Sequence, residues 1–299
     1  MRFVFPTAVV PGDLIAVVAP SSSFPRDSFW AGLAWLRARY RVQMRSDILS
    51  LDAYLAGDDA RRGEELARAM RDPEVRAIVA ARGGYGAMRL LDALPWDAFV
   101  ASPKWLVGFS DITALHVELW KRGVASIHGP HVNGLGKPRP RTRASWLAAL
   151  ERPSATRKWS GLRVLRGGEA SGVLVGGNLA MLEAMAAGRG LAVPEGAVVV
   201  LEDVGERPYR VDRMLTALRL GGHFSRVSAI VLGEFTDCDP GADGRRVEEV
   251  LEERTRSLGV PVYAGAPFGH GDVNDAFVLG ARGTVEAGTL TMHPYLPEG

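Results

Sequence analysis

The first 130 residues alternate short apolar runs with longer stretches of helical spacing, and this alternation restricts the fold more than any other feature of the chain. Leu14 to Ala19 (LIAVVA) reads as a buried strand, followed by Pro20 and three serines, then by a helix from Phe29 to Tyr40 with Trp30, Leu33, Ala34 and Leu36 at helical spacing. A second helix is expected from about Ala60 to Arg71, stopped ahead of Pro73, with an apolar strand from Val75 to Ala81 behind it. A Gly-rich turn leads into a helix near Tyr85 to Leu94. Next come a strand at Trp105 to Gly108, a helix at Asp111 to Lys121 and a short strand at Ala125 to Ile127. Such alternation predicts a parallel sheet with helices on both faces, joined by right-handed crossovers.

Past residue 133 the pattern changes. Gly134 to Arg141 (GLGKPRPR) is rich in Gly, Pro and Arg, and apart from a helical stretch around Trp146 to Leu150 the chain stays irregular to Gly168. This places an N-terminal α/β domain at 1–133, a linker at 134–167 and a C-terminal domain at 168–299. The last of these has strands at 171–176, 197–201 and 229–233, and an amphipathic helix over Val211, Met214, Leu215 and Leu218 that ends at Gly221 and Gly222. Thr284 to Met292 alternates around Ala287 and Gly288 as a hairpin would. The fold class expected is α/β, with a parallel-sheet N-terminal domain and a β-rich mixed C-terminal domain.

A length of 299 residues suits about two domains, and 47% apolar with 23% charged residues is ordinary globular usage. The 36 basic residues, of which only four are Lys, are interspersed with 34 acidic ones, so no nucleic-acid partner is expected. The single cysteine, Cys238, has no second Cys for a disulfide or a thiolate metal site. Pro6, Pro11 and Asp13 break the early apolar stretch where a signal peptide needs an uninterrupted core, and no run approaches the ~18 apolar residues of a membrane span. A cytoplasmic protein without a membrane partner is the expectation.

Four segments could carry chemistry. In Val107 to His116 (VGFSDITALH) a strand runs into Gly108, Ser110 stands at the turn, and a helix begins at once. A serine there could be a nucleophile lifted above the sheet, with the N–H of Asp111 pointing into the same space, or it could simply cap the helix. A full G-x-S-x-G elbow is absent, because Ile112 stands where the second glycine belongs. Ala81 to Ala87 (ARGGYGA) offers successive glycines whose N–H groups could face an anion or an oxyanion, or could form a turn with no ligand. It lacks the third glycine of a dinucleotide fingerprint, and the pair Gly136 and Lys137 precedes Pro138, which excludes a P-loop. Val198 to Arg210 (VVVLEDVGERPYR) brings Glu202 and Asp203 to a strand end where ligands commonly bind, or forms an acidic loop paired with Arg207, Arg210 or Arg213. In Val262 to Asn274 (VYAGAPFGHGDVN), His270 lies between two glycines. His128 and His131 lie three apart on a Gly-Pro loop and not on a helix face, and no H-E-x-x-H occurs, so no metal is expected.

Together, Ser110, Glu202 and His270, with GGYG nearby, supply a nucleophile, an orienting carboxylate, a general base and oxyanion donors. At this point the chain resembles the LD-carboxypeptidase family of serine peptidases, the muramoyltetrapeptide carboxypeptidases. The resemblance runs through VVAPSS (17–22), YLAGDDARR (54–62), ARGGYGAMRLL (81–91), GFSDITALH (108–116), HGP (128–130), GGNLAML (176–182), LEDVGERPYRVDR (201–213) and the P-x-G-H ending at His270. It implies that Ser110 is the nucleophile, Glu202 the triad acid and His270 the base. It further implies an oxyanion hole from the backbone N–H groups of Gly84 and Asp111, and a site assembled at the domain interface. The implied reaction removes the terminal D-alanine from a cytoplasmic muropeptide tetrapeptide during wall recycling, with no cofactor, and family members are often dimers. Two other readings stay open. One is hydrolysis of an aminoacyl-nucleotide antibiotic, as in the microcin-immunity branch, which calls for aromatic residues such as Trp146 or Trp159 to stack on a base. The other is a non-catalytic anion-binding module.

Overall fold

A computed structural model describes residues 2–293, and the chain divides into two compact units. The first comprises Arg2–Pro153 with Asp275–Val278; the second comprises Ser154–Asn274 with 279–293.

In the first unit the chain runs β1 (Leu14–Val18), α1 (Arg26–Arg37), β2 (Arg41–Gln43), α2 (Asp59–Arg71), β3 (Val75–Ala80), α3 (Trp96–Ala101), β4 (Trp105–Gly108), α4 (Thr113–Lys121), β5 (Ser126–His128), α5 (Val132–Leu135) and α6 (Pro140–Glu151). Strands β1 to β5 pair in parallel in the order β5-β4-β3-β1-β2, with Val17 opposite Val79, Ala77 opposite Trp105 and Gly108 opposite His128. The expected parallel α/β arrangement is what the structure has. Continuous apolar runs make these strands because both faces of the sheet are covered, and their interior residues are almost all buried. Helix α2 starts where Asp58 accepts the N–H of Arg61 at 2.7 Å, and packs Leu66, Ala69 and Met70 inward. Phe29, Leu33 and Leu36 from α1 and Trp120 from α4 fill the core with Trp105, each contributing about 1.5–3 kcal/mol on burial.

The second unit contains β6 (Arg157–Ser160), β7 (Arg163–Arg166), β8 (Ala170–Asn178), α7 (Leu179–Arg189), β9 (Val198–Val204), α8 (Pro208–Leu220), β10 (Ala229–Thr236), α9 (Val247–Arg256) and β11 (Val262–Ala264). After β12 (Phe277–Leu279), which sits beside β5 at the edge of the first sheet, the hairpin β13 (Arg282–Glu286) and β14 (Thr289–Met292) completes it. Its sheet is mixed, in the order β6-β14-β13-β8-β9-β10-β11-β7, with β8 through β11 parallel and the outer pairs antiparallel. Val198 to Leu201 of β9 and Ala229 to Leu232 of β10 are buried, and β9 carries the carboxylates Glu202 and Asp203 near its C-terminal end.

Two expectations differ from the structure. Instead of a helix from Tyr85 to Leu94 there is only a 3-10 turn, Ala87–Leu90, because Gly84 and Gly86 take φ of +102° and +130°, outside helical space. The segment 134–167, expected as a linker, carries α6, β6 and β7. Pro140 opens α6 at its first turn, where a missing N–H costs nothing, and β6 and β7 pair with the distant strands β14 and β11. Among the described residues no helix is long and apolar enough to cross a membrane.

Candidate active site

In the first unit the chemistry gathers where β4 ends. A Cβ on Gly108 would lie 2.8 Å from the Ile112 side chain, so the glycine allows the chain to fold tightly back on itself. Ser110 then takes φ of +60°, a left-handed conformation that a residue with a side chain adopts only under constraint, and starts a 3-10 turn (Ser110–Ile112) that runs into α4. Phe109, not Ser110, occupies the capping position of that turn, and no side-chain cap bond is made there. The carbonyls on either side of the bend are fixed by imidazoles. Gly108 O accepts from His116 Nε2 at 2.9 Å, while His116 Nδ1 meets the Ser126 hydroxyl at 2.8 Å. Burial lowers the His116 pKa to about 4, so the ring is neutral and serves as a structural pin. Phe109 O accepts from His131 Nε2 at 2.8 Å, and the His131 ring stacks on Phe109 with centroids 4.4 Å apart. His128 stacks on Phe277 at 4.9 Å.

The Gly-rich turn lies against this bend. A Cβ on Gly83 would come within 3.0 Å of Ser110 Cβ, 3.1 Å of its Oγ and 3.1 Å of His131 Cε1, so only glycine lets the turn approach the serine this closely. Ser22, at the end of the segment following β1, holds the turn. Its N–H donates to Gly83 O at 3.2 Å, and its hydroxyl accepts the Tyr85 N–H at 3.1 Å. Asp111, next to Ser110, is completely buried, and burial raises its carboxyl pKa against the opposing hydrogen bonds from Ser21 and Ala87.

In the second unit β9 and the turn after it bring three acids within five residues, and the structure separates their roles. Glu202 is completely buried, and its Oε2 lies 2.8 Å from Nδ1 of His270. The largest influence on His270 is burial, which lowers its pKa, but the Glu202 hydrogen bond and the charges of Glu202 and Asp203 together outweigh it, so the net shift is upward. Asp203 accepts from Asn178 Nδ2 at 2.9 Å, from its own neighbor Val204 N at 2.8 Å, and from Ala180 N at 3.0 Å in the first turn of α7. Desolvation, with the Glu202 charge added, pushes its carboxyl up to about 6. Glu206 pairs with Arg210 one helical turn on, at 2.9 Å, while Arg207 donates to the carbonyls of Asp239 and Pro240. The acidic segment therefore divides into one acid facing a histidine, one tying β9 to α7, and one surface ion pair.

Within the second unit, then, two of the sequence-predicted site residues, Glu202 and His270, meet directly. Within the first, Ser110, Asp111 and the Gly83–Gly84 turn pack together. Trp146 is fully buried, with its N–H on Pro130 O, and Trp159 packs edge-on against Phe268 at 5.0 Å, so both are packing residues. Among the described residues no group of His, Cys, Asp or Glu is arranged to hold a metal ion. The supporting roles of Ser21, Ser22, His116 and His131 escaped the sequence reading, because each depends on a partner chosen by the fold and not by a local motif.

Residues 15–129 match the model of the LD-carboxypeptidase N-terminal domain, and residues 171–285 match that of the LD-carboxypeptidase C-terminal domain. The chain is 35% identical to the murein tetrapeptide carboxypeptidase of Pseudomonas aeruginosa, over 92% of this chain and 94% of that protein. It is 25% identical to a microcin self-immunity protein of Escherichia coli, over 84% of this chain and 83% of that one. The crystal structure of a muramoyltetrapeptide carboxypeptidase from Oxalobacter formigenes superposes with a TM-score of 0.85 at 29% identity, covering 94% of this chain and 99% of the other. The chain belongs to the LD-carboxypeptidase family, and is a serine carboxypeptidase, a hydrolase.

Proposed function

We propose that this carboxypeptidase removes the terminal D-alanine from cytoplasmic muropeptide tetrapeptides, cleaving an LD-peptide bond in cell-wall recycling. Ser110 attacks the scissile carbonyl, His270 takes its proton and later gives it to the leaving amine, and Glu202 holds His270 in the tautomer with its free nitrogen at Nε2. The backbone N–H groups of Gly84 and Asp111 stabilise the tetrahedral oxyanion. The observation that carries this reading is the 2.8 Å contact between the buried Glu202 carboxylate and His270 Nδ1. A carboxylate on Nδ1 leaves Nε2 as the basic position, which is the arrangement a serine nucleophile requires. The left-handed conformation of Ser110 at a strand-to-turn junction adds support, since constrained backbone at a serine is characteristic of a nucleophile turn.

Incubating the protein separately with a muropeptide tetrapeptide and with an aminoacyl-sulfamoyl adenosine, and reading products by mass spectrometry, tests the proposal. Release of D-alanine from the first alone supports it. Hydrolysis of only the second would make the protein an antibiotic-inactivating hydrolase, and turnover of neither would overturn the proposed substrate.

A further inference from the structure

The side chain of Asp111 has no part in the chemistry proposed above, although its backbone N–H does. The carboxylate is completely buried, and its Oδ2 accepts two hydrogen bonds, from the Ser21 hydroxyl at 2.6 Å and from the Ala87 N–H at 2.8 Å. Burying a carboxylate is costly unless specific partners compensate, so a residue serving only to fill this space would be apolar. Both partners belong to one small structure. Ala87 closes the Gly-rich turn, and Ser21 precedes Ser22, which binds that turn at Gly83 O and at the Tyr85 N–H. From the other side Arg62, equally buried, donates Nη1 to Gly86 O at 3.0 Å and to Pro20 O, and Nε to Gly57 O at 3.2 Å. Glycines have the widest conformational freedom of any residue, so a turn built on Gly83, Gly84 and Gly86 keeps one shape only if it is tied from outside. Here a buried carboxyl and a buried guanidinium grip the two ends of one of its peptide groups, the Ala87 N–H and the Gly86 carbonyl.

We infer that the Asp111 carboxylate is a positioning residue for the oxyanion hole. This inference rests on the function proposed above. One residue thereby carries one oxyanion donor on its backbone and, through its side chain, tethers the turn that carries the other. The Ser110–Asp111 step and the Gly83–Ala87 turn are locked to each other, and Arg62 supplies the opposing charge.

The test compares wild type with Asp111→Ala, Asp111→Asn and Ser21→Ala. It reads kcat and KM on a tetrapeptide, the thermal midpoint, and amide hydrogen exchange across residues 82–88. Small misplacements of catalytic donors reduce turnover by about 100-fold, so Asp111→Ala is expected to lower kcat by roughly that factor with KM changed less than about threefold. Its turn amides should exchange at least about tenfold faster. Asp111→Asn keeps an oxygen able to take both donors and should restore kcat to within about tenfold of wild type, which general loosening of the fold would not explain. Ser21→Ala removes one of the two donors without touching the oxyanion residues, and decides the matter if Asp111→Ala does not fold; it should fall between the other two. Wild-type kcat and exchange in folded Asp111→Ala or in Ser21→Ala overturns the inference, as does an Asp111→Asn enzyme no faster than the alanine variant. If the wild type itself releases no D-alanine, the functional proposal fails, and the exchange data still decide whether Asp111 tethers the turn.

Discussion

Oε2 of Glu202 lies 2.8 Å from Nδ1 of His270, and a Cβ on Gly269 would sit 2.7 Å from that same oxygen. The glycine before the histidine is thus part of the pair, because it lets the 268–270 backbone close over the end of β9.

Glu202→Gln is expected to lower kcat by about two to four orders of magnitude, since an amide in this position favors the wrong tautomer of the histidine; the corresponding change in a well-studied serine protease cost about 10⁴. Asp203→Asn and Glu206→Gln should affect kcat less, because these acids face Asn178 with the α7 backbone and Arg210 respectively. Asp203→Ala should instead show itself in the thermal midpoint, through about 1–3 kcal/mol for the donors it leaves unpaired. A crippled Glu206→Gln beside a near-wild-type Glu202→Gln would move the triad acid by one turn.

The pH profile of kcat/KM carries a second expectation. A general base works unprotonated, and the His270 pKa is raised above its ordinary 6.5 despite the lowering effect of burial. Activity should therefore fall as pH drops through a midpoint above 6.5. In Glu202→Gln the chief raising influence is gone and burial remains, so whatever activity is left should keep its acid limb to lower pH. Asp203, with its carboxyl near 6, titrates in the same range and broadens the limb. The sign for stability is opposite to that for activity. The pair stabilises the folded state fully below about pH 6.5, and this contribution declines as pH rises through the raised value. A limb that stays in place on Glu202→Gln counts against the pairing.

Ser110→Ala should abolish turnover with little change in thermal midpoint, since Phe109, and not Ser110, holds the capping position of its turn. A serine that capped the helix would instead lose about 1 kcal/mol and leave activity intact. Ser110→Gly should also be inactive but slightly more stable than the alanine variant, by about 1 kcal/mol, because φ of +60° costs glycine nothing.

Because the proposed chemistry uses a serine and an imidazole, EDTA should leave kcat unchanged. Loss of activity on chelation, restored by zinc, would contradict the serine mechanism.

What the sequence revealed, and what it hid, follows from how local each signal is. Strands β1, β3, β4, β9 and β10 were readable because parallel strands covered on both faces are continuous apolar runs. Strands β2 (RVQ) and β7 (RVLR) escaped, being three or four residues long at the sheet edges with no fully buried residue. Helix α7 (LAMLEAMAAGR) escaped for another reason, since small and apolar residues on every side blur its periodicity. The pairing of β12 with the first sheet is a contact between distant parts of the chain that no local pattern announces. Likewise Ser110, Glu202 and His270 stood out through their motifs, whereas Ser21 gains its role from a carboxylate 90 residues away.

The last prediction separates the two glycines that flank His270. Gly269 has φ of +115°, and a Cβ there would meet Glu202 at Oε2 (2.7 Å), Cβ (2.9 Å) and Cγ (3.2 Å). The glutamate is buried and cannot swing away, so Gly269→Ala must push the histidine backbone off the carboxylate. Gly271 has no left-handed φ, and its Cβ would meet Glu234 at Cγ (2.9 Å), in a partly exposed side chain that can rotate aside. Gly269→Ala is therefore expected to destabilise the fold by about 1–3 kcal/mol, and to lower kcat in the folded enzyme at least about tenfold, while Gly271→Ala remains within about 0.5 kcal/mol and threefold of wild type. Combining Gly269→Ala with Glu202→Gln supplies the decisive measurement. If the glycine acts through the Glu202–His270 contact, the double variant is scarcely slower than Glu202→Gln alone; if the two losses in kcat multiply, Gly269 acts on catalysis by some other route.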